Sequence, residues 1–318
     1  MRHLFILNPK AGSKNQVRET VEKIRQVFES LPGEEYRVLL TQKRGDAAEM
    51  AREASREDGF VRLYACGGDG TLHEVVNGAA ESQRAAICPI PLGSGNDLIR
   101  SFDQFSKADF LDLAACVRGS VFPCDLLRCG SVYSINNISV GLDALAARRQ
   151  NKVKNLPFIS GGAAYKLALG YSFLSSMKNP VTFEVDGESL VVGNGNVTLA
   201  VLGNGRFYGG GFQAVPLATI NDGYIDFLTV PTISRLEFLR YVGDYRRGDH
   251  LKTMPSVHYQ KCKKIRLLSP HPICLQADGE ILECENPEIE IIPQAIQLIL
   301  PAKGRANRKI ALTKSGAL

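Results

Sequence analysis

The first hundred residues alternate between short apolar runs and longer stretches in which apolar residues recur every three or four positions. Residues 3–7, 36–40, 60–66 and 86–90 have the length and composition of buried strands. Between them, Val17, Val21, Ile24, Phe28 and Leu31 mark one helical face. An alanine-rich segment from Gly45-Asp46 to about Arg56 marks a second, and Leu72, Val75, Val76 and Ala79 mark a third. Another helix is expected to start at Leu98. Four strand–helix units in succession predict a parallel sheet with right-handed crossovers and helices on both faces.

Beyond about residue 123 the pattern changes. Helices are expected near 141–150, 163–177 and 235–245. The remainder reads as short strands at 182–185, 190–192, 197–202, 224–230, 264–268, 273–276, 289–292 and 296–300, separated by turns. This spacing resembles an antiparallel sandwich. The fold class expected is thus α/β plus all-β: an N-terminal parallel-sheet α/β domain and a C-terminal antiparallel β-sandwich domain, divided near residues 123–125.

Ligands of open parallel sheets bind beyond the carboxyl ends of the strands. That rule collects Asn8, Pro9, Lys10, Ala11 and Gly12, then Thr41, then Gly67, Gly68, Asp69, Gly70 and Thr71, then the 93–96 loop with Ser94, into one polar, nucleotide-sized edge. In Cys66-Gly67-Gly68-Asp69-Gly70-Thr71 a strand, three glycines in four residues and a helix start bring backbone N–H groups toward a phosphate at the helix's positive end. Asp69 would repel that phosphate unless a cation stood between them, and Mg²⁺ is the expected cation. No Gly-Lys-Ser/Thr follows, and no Gly-x-Gly-x-x-Gly is present, so neither a P-loop nor an ordinary dinucleotide fold is indicated. A plain Gly/Asp turn between core elements is the bland alternative.

Composition changes this picture in four ways. With 318 residues, 44% hydrophobic and 22% charged, the chain is long enough for two domains with substantial cores. No segment approaches the ~18 apolar residues of a membrane span, and the N-terminal apolar run is too short for a signal peptide, so a cytoplasmic protein is expected. The eight cysteines show no Cys-x-x-Cys spacing and read as reduced, small hydrophobic residues. The formal charge of +5 is matched by Lys303, Arg305, Arg308, Lys309 and Lys314, a tail without acids. Such a tail suits peripheral contact with an anionic inner-membrane surface, or simply a solvated end. Nucleic acid is disfavoured because the tail has no aromatic residues for base stacking.

Five motifs carry a family resemblance over nearly the full length: Asn8-Pro9-Lys10-Ala11-Gly12; Gly67-Gly68-Asp69-Gly70-Thr71 continuing to Glu74-Val75-Val76-Asn77-Gly78; Pro91-Leu92-Gly93-Ser94-Gly95-Asn96-Asp97; Asn221-Asp222-Gly223; and Asp278-Gly279-Glu280. The chain resembles the bacterial diacylglycerol kinase-like lipid kinases, relatives of sphingosine and ceramide kinases. The resemblance implies ATP-dependent transfer of the γ-phosphate to a lipid hydroxyl, with diacylglycerol giving phosphatidic acid as the leading case. The reaction would take place in a cleft between an ATP-binding domain (1–124, rejoined by about 296–318) and a β-rich lipid domain (125–295). It implies that Asn8, Pro9, Lys10, Ala11, Gly12, Thr41, Gly67, Gly68, Asp69, Gly70, Thr71, Leu72, His73 and Ser94 hold ATP. Asp69 would serve the phosphates and Mg²⁺, and Glu280 would be the general base. A structural Mg²⁺ would sit at Asp222 with the carbonyls of Thr219 and Tyr224.

Two departures from the family pattern are His73, where asparagine is common, and Ser94, where threonine is common. The Asp-Gly-Glu triplet also occurs twice, at 186–188 and 278–280, and Asp-Gly by itself is a good hairpin turn. Three alternatives stay open: an NAD kinase, which shares the Gly-Gly-Asp-Gly-Thr loop; a kinase of sphingoid or isoprenoid alcohols; and a nucleotide-sensing, membrane-binding protein without catalysis. The residues 72–78 favour the lipid-kinase pattern over the first. Oligomeric state, a homodimer included, is open at this level.

Overall fold

The computed structural model of the protein describes residues 1–142, 144, 145, 148 and 177–302. Most of the expected helix at 141–150, the one at 163–177 except Met177, Lys152 and Lys154, and the basic tail from Lys303 lie outside the described residues.

The N-terminal half runs β1 (Arg2–Leu7), α1 (Lys14–Glu29), β2 (Glu35–Leu40), α2 (Asp46–Arg56), β3 (Val61–Gly67), α3 (Asp69–Ala79), β4 (Ala85–Pro91), a 3₁₀ turn (Leu98–Ser101), α4 (Lys107–Leu111) and α5 (Leu113–Val117). The four strands pair in parallel in the order β2-β1-β3-β4. Their alternating side chains build two cores. Ile6, Leu63, Ala65 and Ile87 meet Ala47, Ala51, Leu72, Val75 and Val76 of α2 and α3 on one face. Phe5, Leu7, Tyr64, Cys66 and Ile90 meet Ile24, Phe28, Leu113 and Cys116 of α1 and α5 on the other, with the Phe5 and Tyr64 rings stacked at 4.1 Å. Local chemistry sets the helix ends. The Ser13 side chain accepts the Gln16 N–H at the start of α1, and the Asp46 carboxylate accepts the N–H groups of Gln42 and Lys43 ahead of α2. Val21, counted on the α1 apolar stripe, is 38% exposed.

The rest is β5 (Ser120–Cys129), β6 (Val132–Ser134), β7 (Asn137–Gly141), β8 (Asn179–Pro180), β9 (Thr182–Val185), β10 (Glu188–Leu190), β11 (Asn196–Gly203), β12 (Ile225–Pro231), α6 (Arg235–Arg247), α7 (His250–Thr253), β13 (His258–Cys262), β14 (Lys264–Leu268), β15 (Ile273–Ala277), β16 (Glu280–Cys284) and β17 (Glu288–Leu300). An antiparallel sheet β13-β12-β11-β7-β15-β16 faces β10-β9-β14-β17, and Phe183, Phe227, Ile265, Leu275 and Ile289 fill the space between. The two-layer, sandwich-like C-terminal half is as expected from the strand spacing.

The two halves share β17. The runs 289–292 and 296–300, expected as separate strands, form one strand of 13 residues with an irregularity between Ile292 and Ile296. One edge pairs with β5 throughout; the other pairs with β14 in its first half and, in parallel, with β4 in its second. The bulge is held by Asp125, fully buried in β5, whose carboxylate accepts the N–H of Gln294 (2.7 Å) and of Gly223 (2.7 Å). Gln294 has φ +51°.

Candidate active site

The strand order reverses direction between β1 and β3, and there the polar loops gather. The Asn8 N–H donates to Cys66 O, and Asn8 Nδ2 donates to Thr71 Oγ1 at 3.2 Å, which ties the 8–12 loop to the start of α3. Asn8 Oδ1 accepts the Lys10 N–H, closing the turn. Pro9, Lys10 and Gly12 stand exposed at its rim, and the Thr41 N–H donates to Leu7 O beside it. The Gly67 carbonyl accepts both Leu92 and Gly93 N–H groups, so the third and fourth loops touch. That contact demands glycine: a Cβ on Gly93 would stand 2.5 Å from the Gly68 Cα, and one on Gly95 would stand 2.3 Å from Asp69 Oδ2. Ser94 is exposed on this loop, whereas the Leu72 side chain belongs to the core, leaving only its backbone to a ligand.

Asp69 does more local work than its sequence motif suggested. Its two carboxylate oxygens accept the N–H groups of Asn96 (2.7 Å) and Asp97 (2.8 Å), clamping the Gly67–Thr71 turn to the 93–97 loop. Burial raises its pKa, and those two hydrogen bonds oppose the rise. Next to it lies Asp97, 5% exposed, a residue the sequence analysis quoted within a motif without assigning it a role. Asp97 Oδ2 accepts the Gly210 N–H at 2.8 Å; Oδ1 is buried without a hydrogen-bond donor, with Arg100 Nε 3.5 Å away. Burial, and then the charge of Asp69, push its pKa up to about 6. Two neighbouring carboxylates, Asp69 half-buried and Asp97 buried with an oxygen lacking a donor, fit a divalent cation.

The C-terminal half reaches this cleft through the β15–β16 hairpin. Asp278, at φ +48° in the turn, accepts hydrogen bonds from Ser134 Oγ (2.8 Å) and from the backbone N–H groups of Ile135 (2.7 Å), Asn136 (3.0 Å) and Asn137 (3.1 Å). His73 Nδ1 of α3 lies 3.5 Å from Asp278 Oδ2, and Asn77 Nδ2 lies 3.4 Å from His73 Nε2. Burial would lower the His73 pKa, but Asp278, with Glu280 and Glu74, outweighs it and the net shift is upward. Two residues on, the Glu280 carboxylate is ion-paired with Arg44 from the β2–α2 loop of the other half. The second triplet is a turn of the same shape, Asp186 at φ +48° and Gly187 at +91°. Its carboxylate accepts the N–H groups of Lys263 and Lys264, on the exposed end of the β9–β10 hairpin and away from these groups. Position, rather than the triplet, separates Glu280 from Glu188.

Of the expected ligand set, Asp222 and Tyr224 are in contact, but the Asp222 carboxylate is already engaged. Asp222 Oδ2 is ion-paired with the Lys261 ammonium, Oδ1 accepts the Tyr224 N–H, and Lys261 Nζ is also 3.7 Å from Asp226 Oδ2. The ammonium takes the place a cation would need. Among the described residues no group of three or more His, Cys, Asp or Glu side chains is arranged for a metal.

One further cavity adjoins the cleft. The loop after β11 carries Gly209, Gly210 and Gly211, all with positive φ; Gly210 donates to Asp97, while Tyr208 and Phe212 on either side line an apolar pocket. Leu142, Leu199, Val230, Ile233 and Met254 line it from the sheet side, and α6 closes it with Phe238, Tyr241, Val242 and Tyr245. The role of these glycines required knowing that the loop after β11 reaches the 93–97 loop through Gly210 and Asp97.

Comparison with known proteins agrees with this geometry. Residues 2–129 match the family described as the diacylglycerol kinase catalytic domain, and residues 136–300 match the YegS C-terminal NAD kinase beta sandwich-like domain. Fold and site define a two-domain kinase of the lipid-kinase class. The chain is 31% identical over 310 residues, 93% of its own length and 92% of the relative's, to a protein of Chromohalobacter salexigens named "Probable lipid kinase YegS-like". It is 32% identical over 289 residues, 88% of each, to the diacylglycerol kinase of Staphylococcus carnosus. A crystal structure of a diacylglycerol kinase from Bacillus anthracis shares the fold, with a TM-score of 0.69 over 94% of this chain and 96% of that one at 20% identity. The chain belongs to the YegS-like and diacylglycerol kinase-like family of lipid kinases.

Proposed function

We propose that the protein transfers the γ-phosphate of ATP to the hydroxyl of a membrane lipid, with diacylglycerol as acceptor and phosphatidic acid as product. One observation carries the reading: the glycine loop that donates to Asp97 in the cleft is flanked by Tyr208 and Phe212 of the apolar pocket. An acceptor with its hydroxyl at the cleft and its tail in that pocket meets both ends of the site.

In this reading the 8–12, Thr41, 67–73 and 93–96 segments hold ATP, with glycine N–H groups toward the phosphates. Asp97 and Asp69 would hold the accompanying Mg²⁺, which would supply charge neutralisation. Glu280 accepts the acceptor's hydroxyl proton as that oxygen attacks the γ-phosphorus and the bond to ADP breaks. His73 fixes the turn carrying Glu280 through Asp278. Arg44, exposed at the cleft mouth, releases Glu280 to the incoming hydroxyl and offers its guanidinium to the phosphates. ATP as donor puts the reaction on the cytoplasmic face of the membrane.

The test is phosphate transfer from labelled ATP, with and without Mg²⁺, to diacylglycerol, ceramide, an isoprenoid alcohol and NAD in parallel. Labelled phosphatidic acid is the expected product. Label in NADP alone, or in another lipid far ahead of diacylglycerol, would replace this reading.

A further inference from the structure

Away from the cleft, α6 is the surface element least explained by the fold. It begins with a capping box between Ser234 and Glu237 and ends at Gly248 in the left-handed conformation, so its borders are well defined. Its inner face closes the apolar pocket. Its outer face carries Leu236, 78% exposed, and Leu239, 59% exposed; Leu236 is the most exposed large hydrophobic side chain among the described residues. One exposed leucine is ordinary. Here two lie three residues apart, on the same side as Arg240, Gly243 and Arg247, the spacing of one helical face.

The charges around them are one-sided. Arg235, Arg240, Arg246 and Arg247 are all exposed. Against them the helix holds two acids, both engaged locally: the Glu237 carboxylate accepts from the Ser234 N–H and hydroxyl, and Asp244 is ion-paired with Arg247, which also meets Asp249. A helix with bare leucines and four exposed arginines against two locally engaged acids matches the boundary between anionic headgroups and acyl chains.

We propose that the outer face of α6 docks on an anionic lipid bilayer, lying in the plane of the headgroups with Leu236 and Leu239 inserted. A lipid leaving the bilayer beside α6 then enters the pocket formed by the helix's inner face. The delivery step rests on the lipid-kinase reading; the docking does not, because vesicle binding requires no acceptor.

The full chain is mixed with vesicles of phosphatidylcholine alone or of phosphatidylcholine with phosphatidylglycerol, and bound protein is measured by flotation. The parent is expected to bind the mixed vesicles, and added salt should weaken that binding. Leu236→Glu/Leu239→Glu should reduce it by about tenfold or more, and Arg235→Glu/Arg240→Glu should reduce it and flatten its salt dependence. Both variants should keep the parent's melting temperature and its activity on detergent-dispersed diacylglycerol, while losing activity on diacylglycerol embedded in mixed vesicles. Docking by α6 is overturned if the leucine variant binds like the parent or if removal of residues 302–318 alone abolishes binding. It is also overturned if the leucine variant turns a dimer into monomers, which would make the face a subunit contact. A parent that binds vesicles through α6 yet phosphorylates no lipid in either form would remove the kinase reading and leave the docking standing.

Discussion

Asp97 shows how burial and a like charge can make one carboxylate responsive to pH. Its pKa in the fold, about 6, lies above that of the unfolded chain. Stability is therefore fully present below the ordinary carboxylate pKa near ~4 and lost as pH rises through about 6. The apo enzyme should lose up to about 2–3 kcal/mol over that range, and Asp97→Asn should remove this loss while abolishing activity, as melting curves across pH would register. Glu280→Gln should leave ATP affinity near parental while kcat falls ~10²–10⁴-fold; full turnover by this variant would end Glu280's assignment as base. At the Asp222 site, the Lys261 ammonium engages the carboxylate that the family pattern implied for a divalent ion. EDTA should therefore leave the melting temperature of the nucleotide-free protein unchanged, whereas Lys261→Met should cost roughly 1–2 kcal/mol by uncovering the fully buried Asp226. A parent whose melting temperature falls in EDTA, with Asp222→Asn removing that fall, would show that a metal does sit there.

Among the elements, those with two buried faces were legible from sequence because continuous apolar runs bounded by turn residues have few other readings: β1, β3, β4 and β11 fall within a residue of their expected ends. β9 and β14, each with one buried face, coincide with their expected ends through alternation. Elements whose burial comes from a neighbour were not. β13, His258-Tyr259-Gln260-Lys261-Cys262, and β16, Glu280-Ile281-Leu282-Glu283-Cys284, carry too much polarity to announce themselves, and each is a strand through its ladder to β12 or β15. β5 was hidden by Pro123, which is tolerated inside it; β7, with Asn137 and Ser139 buried, is a central strand with polar side chains. The site was legible wherever a glycine loop follows a parallel strand. Arg44 and Asp97 emerged only from the fold, since their partners are 236 residues away in Glu280 and 113 in Gly210. Helix spacing itself yields a further expectation. Gly78 lets α3 approach α2 so closely that a Cβ there would stand 2.2 Å from the Ala48 carbonyl oxygen and 2.8 Å from the Ala51 Cβ. Gly78→Ala should thus destabilise by about 1–3 kcal/mol in urea unfolding, although alanine is the better helix former.

Across the whole molecule the two halves meet at the cleft through two ionisable pairs, Arg44 with Glu280 and His73 with Asp278. The second is conditional on protonation. With its pKa raised in the fold, His73 contributes fully below about pH 6.5, and the contribution is lost as pH climbs through the raised value. His73→Asn should therefore lower stability by roughly 1 kcal/mol at pH 6 and much less at pH 8.5, read as melting temperature at each pH. Equal losses at both would mean that the imidazole acts by packing alone. Strand β17 joins the halves more permanently, because its last residues lie in the N-terminal sheet beside β4 and its first in the sandwich. The sequence families divide the chain between residues 129 and 136, yet a gene cut there would not yield two folding products. The amino-terminal piece would expose an unzipped edge of β4, an invitation to intermolecular pairing and inclusion bodies. Any split version of this enzyme must carry the last strand back to the first half, on a separate peptide or by circular permutation.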